Sequence, residues 1–188
     1  MDRCLALARQ GLGWVSPNPL VGSLVVRDGQ TIGEGFHAQV GHAHAEVEAL
    51  AACTQDPRGA TLYVNLEPCS HHGRTPPCAD AIIRAGIARV VVGMRDPNPV
   101  AAGGLERLRA AGVAVTTGVR ELQSRELNHV FLHWVRTGRP FIAAKVAISS
   151  DYKIAAAPGV RTQIAGPQAQ GFVHELRQRY DAILVGAG

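Results

Sequence analysis

Residues 60–78 read ATLYVNLEPCSHHGRTPPC, and this stretch decides the fold class. Its first part, Ala60–Leu66, is a short apolar run of the kind that forms a buried strand. Cys69 follows the strand directly. The pair Pro76-Pro77 then leads into a helix, because proline is well tolerated at a helix start. Cys78 stands just before that helix, so the stretch predicts a strand–loop–helix unit with a cysteine at each end of the loop.

The same alternation of strands and helices extends outward from this unit. Asp28-Gly29 is a strong hairpin signal between two apolar runs. Together the elements predict an α/β protein, a three-layer α/β/α sandwich around a mixed sheet. The expected strands are Val21–Val26, Thr31–Phe36, Ala60–Leu66, Arg89–Met94 and Val113–Thr117; the expected helices are one near the N-terminus, His44–Cys53, Ala79–Ala85, Leu105–Ala111 and Glu121–Val135.

The pattern restarts after residue 137. Residues 138–188 contain an apolar stretch, Phe141–Ile148, that predicts a strand, then a helix over Gln168–Tyr180 and a strand over Ala182–Val185. Two strands and a helix are too few for an independent sheet. We therefore expect a complete domain over residues 1–137 and the truncated beginning of a second α/β domain over residues 138–188.

Composition excludes several classes of protein. The 188 residues are 46% hydrophobic and 18% charged, which argues against disorder. No window is apolar enough for a membrane span, and the N-terminus does not resemble a signal peptide. The net charge of +4 comes from arginines that are scattered rather than clustered, which argues against a nucleic-acid groove. We expect a cytoplasmic protein in which the four cysteines are metal ligands or free thiols.

A candidate metal site combines His44, Cys69 and Cys78. One imidazole and two thiolates form a three-ligand zinc site that leaves a fourth tetrahedral position for water, whereas closed structural sites use four protein ligands. Glu46, two residues after His44, is the candidate catalytic residue, because hydrolysis at such a site needs a carboxylate to move protons. His44 and Glu46 reach one metal only if the site lies at the start of their helix, since residues i and i+2 diverge in a helix interior.

These residues resemble a known family. The pattern H-A-E followed by P-C…C is that of the zinc-dependent cytidine-deaminase-like superfamily. The eight residues between Cys69 and Cys78 resemble the bifunctional riboflavin-biosynthesis deaminase/reductases. Further segments that carry the resemblance are Pro17-Asn18-Pro19, Val21-Gly22, Gly33–His37, Asp96–Pro99 and Arg136–Pro140.

The resemblance implies a substrate and the residues that bind it. The substrate implied is 2,5-diamino-6-ribosylamino-4(3H)-pyrimidinone 5′-phosphate, deaminated at its 2-amino group by a zinc enzyme. Asn18 would hydrogen-bond the pyrimidine edge, whereas His37, His71, Arg74 and Thr75 would hold the ribosyl phosphate. A Gly-containing loop with an arginine beside the metal also suits a phosphate on physical grounds.

The sequence departs from the family pattern in two places. Val100–Leu105 is one residue short and lacks a basic residue, in a loop that we expect to lie away from the metal. In the second, dihydrofolate-reductase-like domain, Lys145, Ser149 and Asp151 match the family and are weak candidates for cofactor binding. The resemblance implies that only a complete domain would use NADPH. There Tyr152, Arg161 and Gln163 replace a glycine, a serine and a tryptophan of the family.

Two alternatives to a pyrimidine-phosphate deaminase stay open. A nucleic-acid base deaminase shares the metal chemistry but needs a basic track and a base-flipping pocket. A non-catalytic, zinc-stabilised assembly protein would need no proton shuttle such as Glu46. The partners expected are therefore a small phosphorylated pyrimidine, with no nucleic acid and no membrane. The apolar C-terminal stretch suggests either a homo-oligomer or a missing remainder.

Overall fold

The computed structural model describes residues 1–73 and 76–186, and the chain divides into two units, Met1–Pro140 and Phe141–Gly188. The first unit contains five strands: β1 (Gly22–Arg27), β2 (Gln30–Phe36), β3 (Thr61–Leu66), β4 (Arg89–Met94) and β5 (Ala114–Thr116). Its helices are α1 (Asp2–Ala8), α2 (Ala45–Ala51), α3 (Cys78–Arg84), α4 (Gly104–Ala110), α5 (Glu121–Leu127) and α6 (His129–Thr137), with a 3₁₀ turn over Arg9–Gly11.

The five strands form one mixed sheet in the order β2-β1-β3-β4-β5. β1 is antiparallel to both β2 and β3, whereas β3, β4 and β5 are mutually parallel. Asp28 and Gly29 join β1 to β2 with φ angles of 49° and 78°, the left-handed pair that a two-residue hairpin turn requires. The parallel strands β3 and β4 end at the same edge of the sheet, and the loops that follow them build the site.

Helices cover both faces of the sheet. α2 packs on β1 and β2 and contacts α3, which contacts α4; on the other side α1 packs on β1, and α5 packs on β3 and β4. The central strands are the most buried, with Leu62, Val64, Val90 and Val92 fully enclosed. This is the three-layer sandwich that the alternation predicted.

Two glycines on β2 set the position of α2. A Cβ atom at Gly33 would collide with the backbone of Ala49, and one at Gly35 would collide with the backbone of Ala45 and Ala49. Only glycine allows so close an approach of helix and strand. The helix that begins directly after His44 and carries Glu46 is therefore held against the sheet.

The predicted helix Glu121–Val135 is wrong in one respect, because the chain forms two helices that meet at Asn128. The Asn128 backbone leaves the helical region at φ −101°, ψ 20°. Its side chain bonds the backbone of Leu20 instead of facing solvent. A tertiary contact 108 residues away in sequence thus interrupts a continuous helical pattern.

The second unit departs further from the sequence-based expectation. Its helix α7 (Pro167–Arg177) agrees with the pattern. Over the described residues 141–186, however, no strand is assigned, so the predicted strands Phe141–Ile148 and Ala182–Val185 are wrong. Ile142 and Leu184 are almost fully exposed, because this part of the chain provides no neighbouring strand to pair with them. Nor does any helix among the described residues have the length and apolarity needed to cross a bilayer.

Candidate active site

Three potential metal ligands meet where β3, α2 and α3 come together. His44 is the residue that precedes α2, Cys69 lies in the loop after β3, and Cys78 is the first residue of α3. Nδ1 of His44 lies 3.2 Å from Sγ of Cys78 and 3.6 Å from Sγ of Cys69. The three ligand atoms all lie within 4.8 Å of one another.

The donor set fits zinc. A tetrahedral zinc ion with bonds of about 2.0–2.1 Å to nitrogen and about 2.3 Å to sulfur holds such ligand atoms roughly 3.6 Å apart. The two sulfur-to-nitrogen distances at this site agree with that spacing. Both thiols are buried. The set is also an open one, with three protein ligands rather than four.

The two sulfur atoms differ in their affinity for a proton. The neighbouring Cys78 side chain and His44 both lower the pKa of Cys69. The backbone N–H of Cys78 also donates to the Cys69 sulfur at 3.3 Å. The same pairing and burial raise the pKa of Cys78, whereas the contacts around Cys69 favour its thiolate form. Its hydrogen bond raises the pKa of His44 in turn.

Glu46 lies in the first turn of α2 and is only 3% exposed. Burial raises the pKa of its carboxyl group to about 7, against the opposing effect of the nearby His44. A carboxyl group with a pKa near neutrality can both accept and release a proton at that pH.

A cavity of about 440 Å³ opens onto these residues. His44, Glu46 and Cys69 line one part of it, and Asn18 and His37 line another. This volume is in the range of pockets that hold small-molecule ligands. The sequence-predicted residues Asn18, His37, His44, Glu46, Cys69 and His71 are thus brought to one cavity.

His37 is held inside the protein rather than free to bind a ligand. It is 3% exposed, and burial lowers its pKa, which keeps the ring neutral. Nδ1 lies 3.0 Å from the carbonyl oxygen of Ala43, which can only accept, so Nδ1 carries the hydrogen. Nε2 then accepts from the side-chain amide of Asn18 at 3.1 Å. Both ring nitrogens are engaged, which leaves neither for the phosphate contact that the resemblance implies.

His71 differs from His37 in this respect. Its Nδ1 atom is buried and has no hydrogen-bond partner among the described residues, although the side chain lines the cavity. A buried polar atom without a partner costs free energy, which points to a ligand atom or water at this position. The other two predicted phosphate-binding residues, Arg74 and Thr75, lie outside the described residues.

Sequence reasoning missed several residues of the cavity. Asp96, Asn98 and Phe131 line it, and burial raises the pKa of Asp96 to about 6. Asp96 and Asn98 had a detectable signal, because they follow β4 directly and the ends of parallel strands meet at one edge. Phe131 had none, since it belongs to α6, which is distant from the motif in sequence.

The loop that departs from the family pattern lies at the site, contrary to expectation. Ala101 packs against Cys69 and Cys78, and its carbonyl oxygen accepts a hydrogen bond from the backbone N–H of Ser70 at 3.1 Å. The buried carboxylate of Glu67 anchors the same loop by accepting backbone hydrogen bonds from Gly103 and Leu105. The shortened loop is therefore part of the wall around the cysteines.

The weak candidates in the second unit are not brought to one site. The hydroxyl group of Ser149 donates to the Asp151 carboxylate and accepts a hydrogen bond from the backbone N–H of Lys153 at 3.0 Å. Lys145 lines a different cavity of this unit, of about 520 Å³, together with Arg161 and Arg177. Ser149 and Asp151 do not line that cavity.

Residues 1–94, half of the 188, match the family model for the cytidine and deoxycytidylate deaminase zinc-binding region. The chain belongs to this family. Residues 140–188 match a second family model, the RibD C-terminal domain. The two matches lie on either side of the loop and helices that follow β4.

Relatives match along the whole chain. The riboflavin biosynthesis protein RibD of Actinobacillus pleuropneumoniae is 48% identical over 187 residues, which are 99% of this chain and 50% of the relative. RibD of Escherichia coli K12 is 49% identical over 188 residues, 100% of this chain and 51% of the relative. The chain thus spans about half the length of these curated relatives.

A solved structure is similar in fold as well as in sequence. The diaminohydroxyphosphoribosylaminopyrimidine deaminase/5-amino-6-(5-phosphoribosylamino)uracil reductase from Thermotoga maritima is 48% identical, with a TM-score of 0.95. The match covers 100% of this chain and 54% of that one. The resemblance to the bifunctional deaminase/reductases and the fold class it implied are confirmed.

Proposed function

We propose that this chain catalyses the hydrolytic deamination of 2,5-diamino-6-ribosylamino-4(3H)-pyrimidinone 5′-phosphate. The observation that carries the proposal is the cluster of His44, Cys69 and Cys78, whose ligand atoms lie within 4.8 Å of one another. His44 and Cys69 line one cavity together with the buried carboxyl group of Glu46. The deaminase activity for which the Thermotoga maritima relative is named supports the choice of substrate.

In this proposal His44, Cys69 and Cys78 would hold zinc. When bound, zinc acts as a Lewis acid and lowers the pKa of water to about 7, which makes a nucleophile available at neutral pH. The backbone N–H of Cys78, which donates to the Cys69 sulfur at 3.3 Å, helps to hold that sulfur in place. The remaining chemistry belongs to the side chains of the cavity.

Glu46 is the group that moves protons. Deamination adds one water molecule across the ring carbon that carries the amino group, breaks the carbon–nitrogen bond and releases ammonia. A proton must leave the water, and the departing amine must gain one. The Glu46 carboxylate accepts the first and delivers the second. Its position in the first turn of α2 places it beside His44 at the cavity wall.

Asn18 is the group that we assign to the pyrimidine edge. One N–H of its Nδ2 group is donated to His37, which fixes the orientation of the amide, so Oδ1 is the acceptor that it can offer to a ligand. An oxygen acceptor in the cavity wall favours a substrate whose pyrimidine ring carries an N–H donor. The aminopyrimidinone ring carries such donors.

The phosphate is assigned to the loop after Cys69. Arg74 and Thr75 enter this proposal through the family resemblance, and an arginine pairs with a phosphate by bidentate, charge-assisted hydrogen bonds. His71 enters it through its unpartnered Nδ1 atom in the cavity. His37 is left out, because its two ring nitrogens are already engaged.

We further propose the organisation of the longer protein. Residues 1–137 would be the deaminase domain and residues 138–188 the beginning of a reductase-like domain, a division supported by the RibD C-terminal match over residues 140–188. In a chain of the length of its relatives, that domain would reduce the deaminated product with NADPH. We propose a cytoplasmic location on the basis of four free cysteines. Homo-oligomerisation is also proposed, because the apolar C-terminal stretch leaves Ile142, Val146 and Leu184 exposed.

The experiment that tests the proposed activity measures ammonia release by the zinc-loaded chain. The phosphorylated diaminopyrimidine is the expected substrate, with cytidine and tRNA as comparison substrates. Release from the pyrimidine phosphate alone supports the proposal. Release from tRNA would instead favour a nucleic-acid base deaminase, and no release from any of the three would favour a non-catalytic zinc protein.

A further inference from the structure

Two buried asparagines hold one short stretch of backbone at the edge of the cavity. The side chain of Asn128, which is 2% exposed, accepts from the N–H of Leu20 at 2.7 Å and donates to its carbonyl oxygen at 3.0 Å. Asn65, at 0% exposure, donates to the same carbonyl oxygen at 2.9 Å and accepts from the N–H of Gly22 at 2.8 Å. We call these four hydrogen bonds the asparagine clamp.

The clamp fixes the backbone in one arrangement. Each amide uses both its oxygen and its nitrogen, so turning either amide over would put donor against donor and acceptor against acceptor. A buried polar group that loses its partner carries the full cost of desolvation. The remaining carbonyl oxygen of the stretch, that of Val21, accepts from the backbone N–H of His37 at 2.9 Å. The stretch thus has no freedom to shift without breaking buried hydrogen bonds.

Asn18 is tied closely to this stretch. Only Pro19 separates it from Leu20, and the ring of proline locks φ near −65°. Few soft torsions therefore remain between the clamp and the Asn18 side chain. That side chain lines the cavity and donates to His37. The asparagine clamp fixes the backbone of Leu20 and thereby the position of the Asn18 amide in the cavity.

Asn128 reaches this stretch from a helix that the zinc chemistry does not use. It stands at the junction of α5 and α6, and Phe131 in the first turn of α6 lines the cavity. The helix break at Asn128 is what turns its amide toward Leu20 rather than along the helix surface. The end of the deaminase unit thus contributes both a wall and an anchor to the site.

We propose that Asn128 is a positioning residue for substrate binding, which acts through the asparagine clamp on Asn18. The inference rests on the proposed function, because Asn18 is there the residue that binds the pyrimidine edge. A purely structural role would lower stability without any specific dependence on Asn18. The two roles are separable by a double-mutant cycle.

The test compares Asn128→Ala, Asn18→Ala and the double variant in the zinc-loaded chain, with kcat and KM measured separately. Asn128→Ala is expected to raise KM and lower kcat/KM by up to about 10²-fold, the loss that displacement of a substrate-positioning group can cause. In the Asn18→Ala background, the same change should have little further effect. Losses that multiply in the double variant would overturn the proposal.

Ser124→Ala is the matched control. Ser124 is fully buried in α5, one turn before Asn128, and its hydroxyl group has no hydrogen-bond partner among the described residues. The hydroxyl group takes no part in the clamp, and the backbone carbonyl oxygen of Ser124, which accepts from Nδ2 of Asn128 at 3.4 Å, is kept in the variant. KM should therefore stay at the parent value. An equal rise of KM in Ser124→Ala would show a general helix effect and contradict the proposal. If Asn128→Ala does not fold, Asn128→Asp, which keeps the acceptor for Leu20, enters the same cycle.

A second measurement tests whether Asn128 positions Asn18 even if the proposed substrate is not turned over. The side-chain amide resonances of Asn18 are compared by NMR in the parent, Asn128→Ala and Ser124→Ala proteins. A shift of the Asn18 resonances in Asn128→Ala alone supports positioning. Unchanged Asn18 resonances in a folded Asn128→Ala protein would overturn it, whereas an inactive parent with the expected shifts would contradict only the proposed substrate.

Discussion

The side-chain amide of Asn18 donates to Nε2 of His37 across 3.1 Å, and this bond fixes the orientation of the Asn18 amide at the cavity. Nε2 of His37 can accept because the ring hydrogen lies on Nδ1, which donates it to the carbonyl oxygen of Ala43. His37, which the sequence resemblance assigns to the phosphate, thus orients Asn18, the residue that we propose for the pyrimidine edge.

This relationship predicts the behaviour of His37→Phe. The change removes the acceptor for Asn18, and loss of a buried hydrogen bond of about 1 kcal/mol corresponds to a roughly fivefold loss of binding. We expect kcat/KM to fall by the same factor for the phosphorylated substrate and its dephosphorylated form. His174→Phe, a change at an exposed histidine of the second unit, is the control. A loss confined to the phosphorylated substrate would make His37 a phosphate ligand after all.

Cys78→Ala should abolish stoichiometric zinc binding. Two ligands then remain of a set whose atoms lie within 4.8 Å of one another, and a thiolate donor is lost. Metal analysis after dialysis is the measurement. Cys53→Ala is the control, because this half-buried thiol lies just after α2 and is not one of the three clustered ligands. The Cys53→Ala protein should bind zinc as the parent does. Full zinc content in Cys78→Ala would remove Cys78 from the ligand set.

Glu46→Gln should retain the fold and the zinc but lose turnover. The amide has nearly the shape of the carboxyl group but cannot accept and return a proton, and such groups contribute about 10²–10⁴-fold to rate. Ammonia release is measured beside zinc content. Glu48→Gln, an exposed change in the same helix, should leave both unchanged. Near-parent turnover in Glu46→Gln would exclude this residue from proton transfer.

The sheet and the candidate zinc ligands could be predicted because their signals are local. Ala60–Leu66 and Arg89–Met94 are continuous apolar runs, and both became buried central strands within a residue of the expected bounds. The candidate ligands lie at the ends of helices and strands: His44 precedes α2, Cys69 follows β3 and Cys78 begins α3. In an α/β sandwich these ends come together at one edge of the sheet. Local signals of this kind survive because the tertiary structure reinforces them.

Other features could not be predicted because long-range contacts decide them. The break at Asn128 depends on Leu20, and the place of the Val100–Leu105 loop depends on Glu67. Both nitrogens of His37 are hydrogen-bonded, one to Asn18 and one to the carbonyl oxygen of Ala43. No sequence pattern indicates either hydrogen bond. In the second unit, Phe141–Ile148 has strand composition, but composition without a neighbouring strand did not produce a strand.

Arg74→Ala should weaken binding of the phosphorylated substrate more than it slows the chemical step. A charge-assisted pair with a phosphate is lost, whereas Glu46 and the candidate zinc ligands are untouched. We expect KM to rise for the phosphorylated substrate with little change for the dephosphorylated one. Arg84→Ala, an exposed arginine of α3, is the control for net charge. Equal losses on both substrates would show that Arg74 does not bind the phosphate.

The last prediction is that these 188 residues alone do not oxidise NADPH. A dinucleotide binds in the crevice at the carboxyl ends of several strands of an α/β sheet. Over residues 141–186 the structure has helix α7 and no assigned strand, so that crevice is not formed there. The cavity of this unit is lined by Arg161 and Gln163, which stand where the family has a serine and a tryptophan.

NADPH oxidation is measured with the deaminated pyrimidine product, and the Thermotoga maritima deaminase/reductase, of which this chain covers 54%, serves as the positive control. We expect the rate with this chain to equal that without enzyme, because Lys145 and the Ser149–Asp151 pair do not share a cavity to which both substrate and dinucleotide could bind. Ammonia release by the same preparation shows that the protein is folded and active. A steady rate above the background in that preparation would mean that the second unit completes a reductase site, and the prediction would then be wrong.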